Sequence, residues 1–192
     1  EIRSLHDIFE NGYPEIEWKI SKIIPEEGIS LIFGKTSTFK SWIAMKIGLS
    51  YVFGSPFLGN FESKKGNLLY IDEENGMIIL PHRLDQLIKG NFSEEDRLDL
   101  KNFYVANSSG IKLDNPSSVA VLNEIIEENS ISLIIYDSVV RGMEGNEDQA
   151  TDVRFVHENI KKIISKNKGI SFILLHHATK SGSGINSARG SG

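Results

Sequence analysis

Four apolar runs that lack the alternation of half-exposed strands constrain the fold of this chain more than any other feature. They are Ile29–Phe33, Leu68–Ile71, Leu133–Tyr136 and Ile170–Leu175. Strands covered by helices on both faces are apolar throughout, because neither face meets water. The runs therefore predict a three-layer α/β/α fold with a mostly parallel central sheet and right-handed crossovers.

Segments of helical periodicity separate the predicted strands. Phe103–Ala106 supplies a further internal strand, and Trp18–Ile24 a leading one. At 192 residues the chain has the length of one domain with a sizeable core, so we expect residues 1–192 to form a single domain. Within it, residues 1–27 are the lead-in strand and turn, and residues 179–192 are a flexible tail rich in Gly and Ser. The predicted helices are Ser41–Phe53, Met77–Lys89, Ser117–Asn129 and Asp152–Lys166.

Composition limits the location and partners of the protein. No apolar run approaches the roughly 20 residues that a membrane-spanning helix needs, and the first residues lack the apolar segment of a signal peptide. The chain has no Cys, which excludes disulfides and thiolate metal sites and points to the cytoplasm. Its net charge of −5 gives no overall attraction to nucleic acid, so any such contact needs a local basic patch or a ring-shaped assembly.

The segment that follows the first apolar run predicts a phosphate-binding loop. Gly34–Ser41 matches G-x-x-x-x-G-K-[ST], except that Phe39 replaces the second Gly. Backbone N–H groups of such a loop surround a β-phosphate, Lys40 would reach the β- and γ-phosphates, and the Ser41 hydroxyl would ligate Mg²⁺. The alternative is an ordinary strand–turn–helix with a chance Lys-Ser, since Phe39 costs the loop a conformationally free position. The predicted nucleotide-binding residues are Gly34, Thr36, Ser37, Thr38, Phe39, Lys40, Ser41 and Trp42.

Acidic residues follow two of the predicted strands. Asp137 ends the run Leu133–Tyr136, at the sheet edge where ligands bind in open α/β folds, and would hold Mg²⁺ together with Ser41. The alternative is an Asp that caps the next turn. Three carboxylates, Asp72 to Glu74, follow another strand, and one of them could polarise an attacking water. A solvated acidic loop or a helix N-cap cluster competes with that interpretation.

The last predicted strand ends in two histidines. Adjacent side chains of a strand point to opposite faces, so His176 and His177 are poorly placed to share one metal ion, and we expect one of them to sense a γ-phosphate instead. A hydrogen-bonded pair at a strand end is the alternative. Lys180 and Arg189 lie in the tail, where they could contact nucleic acid or a neighbouring subunit's phosphate, or could be chance residues of a polar segment.

Taken in order, these motifs resemble those of the RecA-like ATPases, in particular the RepA-type hexameric replicative helicases and related AAA-labelled P-loop ATPases of plasmids, phages and mobile elements. The resemblance implies that Lys40 and Ser41 contact phosphate and Mg²⁺, and that Asp137 occupies the Walker B position. It also implies that Glu74 activates water and that His177 reports the γ-phosphate to DNA-binding loops. The motifs that carry it are Gly34–Ala44, Pro56–Gly59, Leu69–Asn75, Leu133–Ser138, Leu175–Lys180 and Ala188–Ser191.

The resemblance further implies a Mg²⁺–ATP-hydrolysing motor, a DNA helicase or DNA-dependent ATPase, that forms a homo-oligomeric hexameric ring on single-stranded DNA. The tail 179–192 would correspond to a DNA-facing loop at the ring's centre. The final strands and the arginine finger of such proteins would lie beyond Gly192, so we expect this chain to bind nucleotide but to hydrolyse it poorly. One alternative is a nucleotide-switched regulatory or assembly module without unwinding activity. Another is a small-molecule kinase, ranked last because the sequence lacks an Arg-rich lid segment.

Overall fold

The computed structural model describes residues 2–13, 15–145 and 150–177. Its strands are β1 (Trp18–Ile20), β2 (Ile24–Pro25), β3 (Ile29–Gly34), β4 (Asn67–Asp72), β5 (Phe103–Asn107), β6 (Ile131–Asp137) and β7 (Ser171–His177). Its helices are α1 (Leu5–Glu10), α2 (Lys40–Phe53), α3 (Gly76–Asn91), α4 (Pro116–Asn129) and α5 (Ala150–Lys166), with 3₁₀ segments at Glu95–Asn102 and Val139–Gly142. In the described part of the chain, no helix has the length and apolarity needed to cross a membrane.

Five strands form a single parallel sheet in the order β3-β7-β6-β4-β5. Helices α2 and α3 cover one face, while α4 and α5 cover the other. This arrangement confirms the predicted three-layer fold. Parallel neighbours require crossover connections, which the intervening helices supply.

The packing of strand β6 on both faces explains why its sequence does not alternate between apolar and polar residues. Leu133 and Ile135 pack into the core that contains α2 and α3, whereas Ile134 and Tyr136 pack into the core that contains α4 and α5. All four side chains are 0% exposed. Because successive side chains of a strand point to opposite faces, a strand buried on both sides has no position at which water selects a polar residue.

The predicted leading strand is wrong in its extent. Instead of one strand over Trp18–Ile24, the structure has the short antiparallel pair β1 and β2. The chain reverses between them with Lys22 at φ 62°. A lysine carries no turn signal of the kind that Gly or Asn provides, so the reversal is not visible in the sequence.

Helix α3 begins one residue before the predicted Met77 and includes Pro81. Helix α4 begins one residue before the predicted Ser117. Asn115 caps it by accepting hydrogen bonds from the backbone N–H groups of Ser117 and Ser118, and Pro116 occupies the first turn.

The strand register brings the carboxyl ends of four strands together. Gly34 at the end of β3 lies opposite His177 at the end of β7. Asp72 at the end of β4 lies opposite Asp137 at the end of β6. Motifs that are far apart in the sequence therefore meet along one edge of the sheet, where open α/β folds bind ligands.

Candidate nucleotide-binding site

The loop between β3 and α2 requires a left-handed backbone at residue 39. Phe39 has φ 61° and ψ 18° and immediately precedes α2. A residue with a Cβ atom is disfavoured in this conformation by about 1–2 kcal/mol, which is why Gly suits the position. Phe39 adopts it nonetheless and leaves its side chain 70% exposed. The other predicted loop residues, Thr36, Ser37 and Thr38, are also exposed.

Lys40 begins α2 and lies across its own loop. The residue is 7% exposed. Its Nζ donates to the carbonyl oxygens of Gly34 (3.0 Å) and Lys35 (2.8 Å) and lies 3.3 Å from Nδ1 of His177. The ammonium is thus held at the carboxyl edge of the sheet by two main-chain carbonyls and one imidazole.

His177 joins the loop to the acidic strand end. Its Nε2 lies 2.8 Å from Oε1 of Glu74, which also accepts a 2.7 Å hydrogen bond from the Ser138 hydroxyl. Because an ammonium only donates and a carboxylate only accepts, Nδ1 accepts from Lys40 and the Nε2–H group donates to Glu74. Lys40, His177, Glu74 and Ser138 therefore form one continuous chain of polar contacts.

Two opposing influences set the charge of Glu74. Burial is the largest single influence and raises the pKa of its carboxyl, but the hydrogen bonds from Ser138 and His177, together with electrostatic attraction to His177 and Arg141, outweigh burial. The pKa of Glu74 therefore lies below its usual value, and the group is a carboxylate at neutral pH. A carboxylate that accepts hydrogen bonds at a sheet edge can orient or deprotonate a water molecule.

Asp137 is buried beside the start of α2. It is 1% exposed, and Tyr70 donates a 2.9 Å hydrogen bond to its Oδ2. Burial raises the pKa of Asp137, and the nearby carboxyls of Glu74 and Asp72 raise it further, against the lowering effect of the Ser41 and Tyr70 hydroxyls. A divalent cation in this position would offset that crowding of negative charge.

The Ser41 hydroxyl lies close enough to Asp137 to lower the pKa of its carboxyl, and both side chains offer the hard oxygen donors that Mg²⁺ prefers. Among the described residues, no three His, Cys, Asp or Glu side chains cluster as a metal site. A pair of protein oxygens suits Mg²⁺, which usually takes one or two protein ligands and completes its shell with water and substrate phosphates. The residues therefore fit the predicted ion.

The three consecutive acids have three different environments. Asp72 is fully buried, and its Oδ1 accepts from the backbone N–H groups of Glu74 and Asn75, both at 2.9 Å. Glu73 turns away and accepts from the backbone N–H and hydroxyl of Ser109 at 3.0 and 2.6 Å. Only Glu74 contacts the Lys40 and His177 side of the site. The water-activating role given to Glu74 stays a prediction, but the structure brings this acid of the three to the loop.

The sequence did not single out Ser138 or Arg83 as residues of the site. Ser138 contacts Glu74, and the signal available was its place directly after Asp137 at a strand end. Arg83 donates from Nη1 to Oδ1 of Asn75 at 3.3 Å, and its guanidinium carbon lies 5.8 Å from the centre of the Trp42 ring. The signal available for Arg83 was its place about two turns into α3, which begins directly after Asn75.

Other predicted residues are placed apart from these contacts. His176 interacts with the main-chain oxygen of His177 and with the Phe33 ring. Lys180 and Arg189 lie outside the described residues. Their proposed contacts with nucleic acid or a neighbouring subunit stay predictions.

Comparison with known families identifies the class of protein. A family model described as an AAA domain matches residues 3–183. The chain belongs to this AAA domain family. Membership indicates a nucleotide-binding module of the ATPase type, in agreement with a Lys-Ser loop that faces two acidic strand ends. A search of curated proteins finds no match to this AAA domain.

Proposed function

We propose that this AAA domain binds Mg²⁺–ATP at Gly34–Ser41 and hydrolyses it as a RecA-type motor domain. The observation that carries the proposal is the contact chain from Lys40 through His177 to Glu74, beside the Ser41–Asp137 pair. Lys40 would bind the β- and γ-phosphates, and Glu74 would orient the attacking water. Ser41 and Asp137 would hold Mg²⁺, which supplies positive charge to neutralise the phosphates when bound.

The finer proposal is a DNA helicase or DNA-dependent ATPase of a plasmid, phage or mobile element, active on single-stranded DNA as a hexameric ring. Its support is the resemblance of the ordered motifs to RepA-type helicases and the position of His177. This residue contacts both Lys40 and Glu74, and it is the last residue of β7 before the segment that contains Lys180 and Arg189. A γ-phosphate that drew Lys40 away would change the partners of His177 and could shift that segment.

The same contacts favour a second candidate, a nucleotide-switched regulatory or assembly module. Exchange of the Lys40–His177 contact for a phosphate contact would suffice for a switch without any unwinding. The steady-state ATPase rate with and without single-stranded DNA separates the two functions. A motor on DNA should turn over several-fold faster with DNA, whereas a regulatory module should not respond.

The role of Glu74 is tested by Glu74→Gln, with Glu73→Gln as the matched control. The Gln side chain can still accept from Ser138 and His177 but has no carboxylate to act on water, so we expect kcat to fall about 100-fold. Mg²⁺–ATP affinity, measured by calorimetry, should change less than threefold. Glu73 faces Ser109, so Glu73→Gln should keep kcat within about threefold. Full activity of Glu74→Gln would refute the assignment.

A further inference from the structure

Arg83 lies between two parts of the candidate site that are far apart in the sequence. On one side its guanidinium lies over the ring of Trp42, which directly follows the predicted Mg²⁺ ligand Ser41. On the other side it donates to the side-chain oxygen of Asn75, which directly follows Glu74. One half-buried side chain of α3 thus contacts both the first turn of α2 and the turn that carries Glu74.

The turn that carries Glu74 is organised around a single carboxylate oxygen. Oδ1 of Asp72 accepts from the backbone N–H of Glu74 and from both the backbone N–H and the side-chain amide of Asn75, at 2.9, 2.9 and 3.2 Å. Asp72 is itself fixed at the end of β4 and is 0% exposed. Once the Asn75 amide donates to Asp72, its oxygen is left to accept from Arg83, so Arg83 completes the orientation of this turn.

We propose that Arg83 is a positioning residue that sets the place of Glu74 relative to the loop helix α2. An arginine suits this position, because a planar guanidinium can stack on an aromatic face and donate from its edge at once, which a lysine ammonium cannot. The role rests on the proposed function, because Glu74 needs fixing relative to the loop only if nucleotide binds there.

The structural part of the proposal can be tested without nucleotide. Trp18→Phe leaves Trp42 as the only tryptophan of the chain, which has two. In that background, Arg83→Met removes the charge and the hydrogen bond but keeps an unbranched side chain. We expect its Trp42 emission to shift and acrylamide quenching to rise about twofold. Lys89→Met, at an exposed cation of the same helix, should leave both signals unchanged.

The functional part uses kcat, KM and calorimetric affinity for Mg²⁺–ATP. Arg83→Met should lower kcat about 10- to 30-fold while affinity stays within threefold, and Arg83→Lys should restore part of kcat. Because Arg83 acts through Glu74, adding Arg83→Met to Glu74→Gln should lower kcat less than twofold further. Thermal unfolding of each variant checks that it is folded.

The possible failures are distinct. An unchanged Trp42 signal, an unchanged kcat, an equal loss of affinity and kcat, or fully multiplicative effects in the double variant would each overturn the positioning role alone. Failure of the wild-type protein to bind Mg²⁺–ATP would overturn the proposed function, and the role of Arg83 would fall with it.

Discussion

Two buried lysines lie in different parts of this molecule and have different kinds of partners. Lys19, on the β1–β2 hairpin, is 1% exposed and contacts the Gly169 carbonyl (2.6 Å), the Tyr51 hydroxyl (3.4 Å) and Glu26 (3.8 Å). Lys40 is 7% exposed and contacts two loop carbonyls and an imidazole. The first lysine has a carboxylate among its partners, whereas the second meets only neutral acceptors in these contacts.

The chemistry of its partners decides whether a buried lysine contributes to stability or to binding. The contacts of Lys19 join the hairpin to the turn before β7, so its charge is satisfied within the fold. Lys40 directs its charge at loop carbonyls that an anionic ligand could replace, since charge-assisted hydrogen bonds to phosphate are stronger than those to neutral carbonyls. Burial alone does not separate the two roles, but the chemistry of the partners does.

The largest expected effect is that of Lys40→Ala on nucleotide binding. Loss of the ammonium removes one or two charge-assisted contacts with phosphate, about 3 kcal/mol in total, so Mg²⁺–ATP affinity should fall about 100-fold in calorimetry. Lys19→Ala should leave the affinity of the folded protein within twofold. Equal loss of affinity in both variants would contradict the assignment of nucleotide binding to Lys40 rather than Lys19.

The second effect, on stability, runs the other way. Lys19→Ala leaves the half-buried Gly169 carbonyl without its Lys19 hydrogen bond and creates a cavity, so the free energy of unfolding should fall by about 2–3 kcal/mol. Urea unfolding followed by circular dichroism measures it. Lys40→Ala should cost less than about 1 kcal/mol, because the exposed loop can rearrange. A larger loss at Lys40 would show that this lysine is structural as well.

How far the sequence predicted these features depends on the range of the contacts that decide them. The buried runs predicted the sheet correctly, because burial on both faces requires every residue of Leu133–Tyr136 to be largely apolar. The predicted nucleotide-binding residues adjacent to Lys40 likewise rest on a local pattern. Two long-range contacts were not predicted: Ser138 with Glu74, which are 64 residues apart, and His177 with Lys40, which are 137 residues apart.

The acidic strand end shows the same limit. The sequence alone did not decide which of Asp72, Glu73 and Glu74 would polarise an attacking water, because all three lie in one short segment. Their separation into turn-forming, loop-bound and site-facing groups follows from what β6, β7 and residues 109–110 bring next to them. The hairpin reversal at Lys22 was missed for a different reason, since its left-handed backbone is imposed by tertiary structure on a residue with no turn preference.

A smaller effect concerns pH. Burial is the main influence on Lys19 and lowers its pKa, Lys64 lowers it further, and Glu26 opposes the shift. Between the folded and unfolded pKa values of Lys19, the unfolded chain binds more protons, so stability rises as pH rises through that window. Relative to Lys19→Met, wild-type protein should gain stability towards pH 10, by at most about 1.4 kcal/mol per pH unit. A difference between the two proteins that is flat or falling with pH would contradict the shift.

The smallest effect concerns backbone strain, which both regions contain. Phe39 in the nucleotide loop and Lys22 in the hairpin have positive φ values of 61° and 62°, and both are exposed. Glycine enters this conformation without the Cβ penalty, so Phe39→Gly and Lys22→Gly should each raise the free energy of unfolding by about 1 kcal/mol. The two substitutions should therefore change the free energy of unfolding equally, although only Phe39 lies in the nucleotide loop.

Calorimetric titration with Mg²⁺–ATP then distinguishes the two positions. Phe39→Gly changes the residue directly before Lys40 and frees the loop that carries it, so nucleotide affinity should change measurably, by about two- to fivefold. Lys22→Gly lies in the hairpin and should not change affinity. If both glycines stabilise the fold and neither alters affinity, the strain at Phe39 has no bearing on nucleotide binding, and the left-handed residue of the loop is as purely structural as the one beside Lys19.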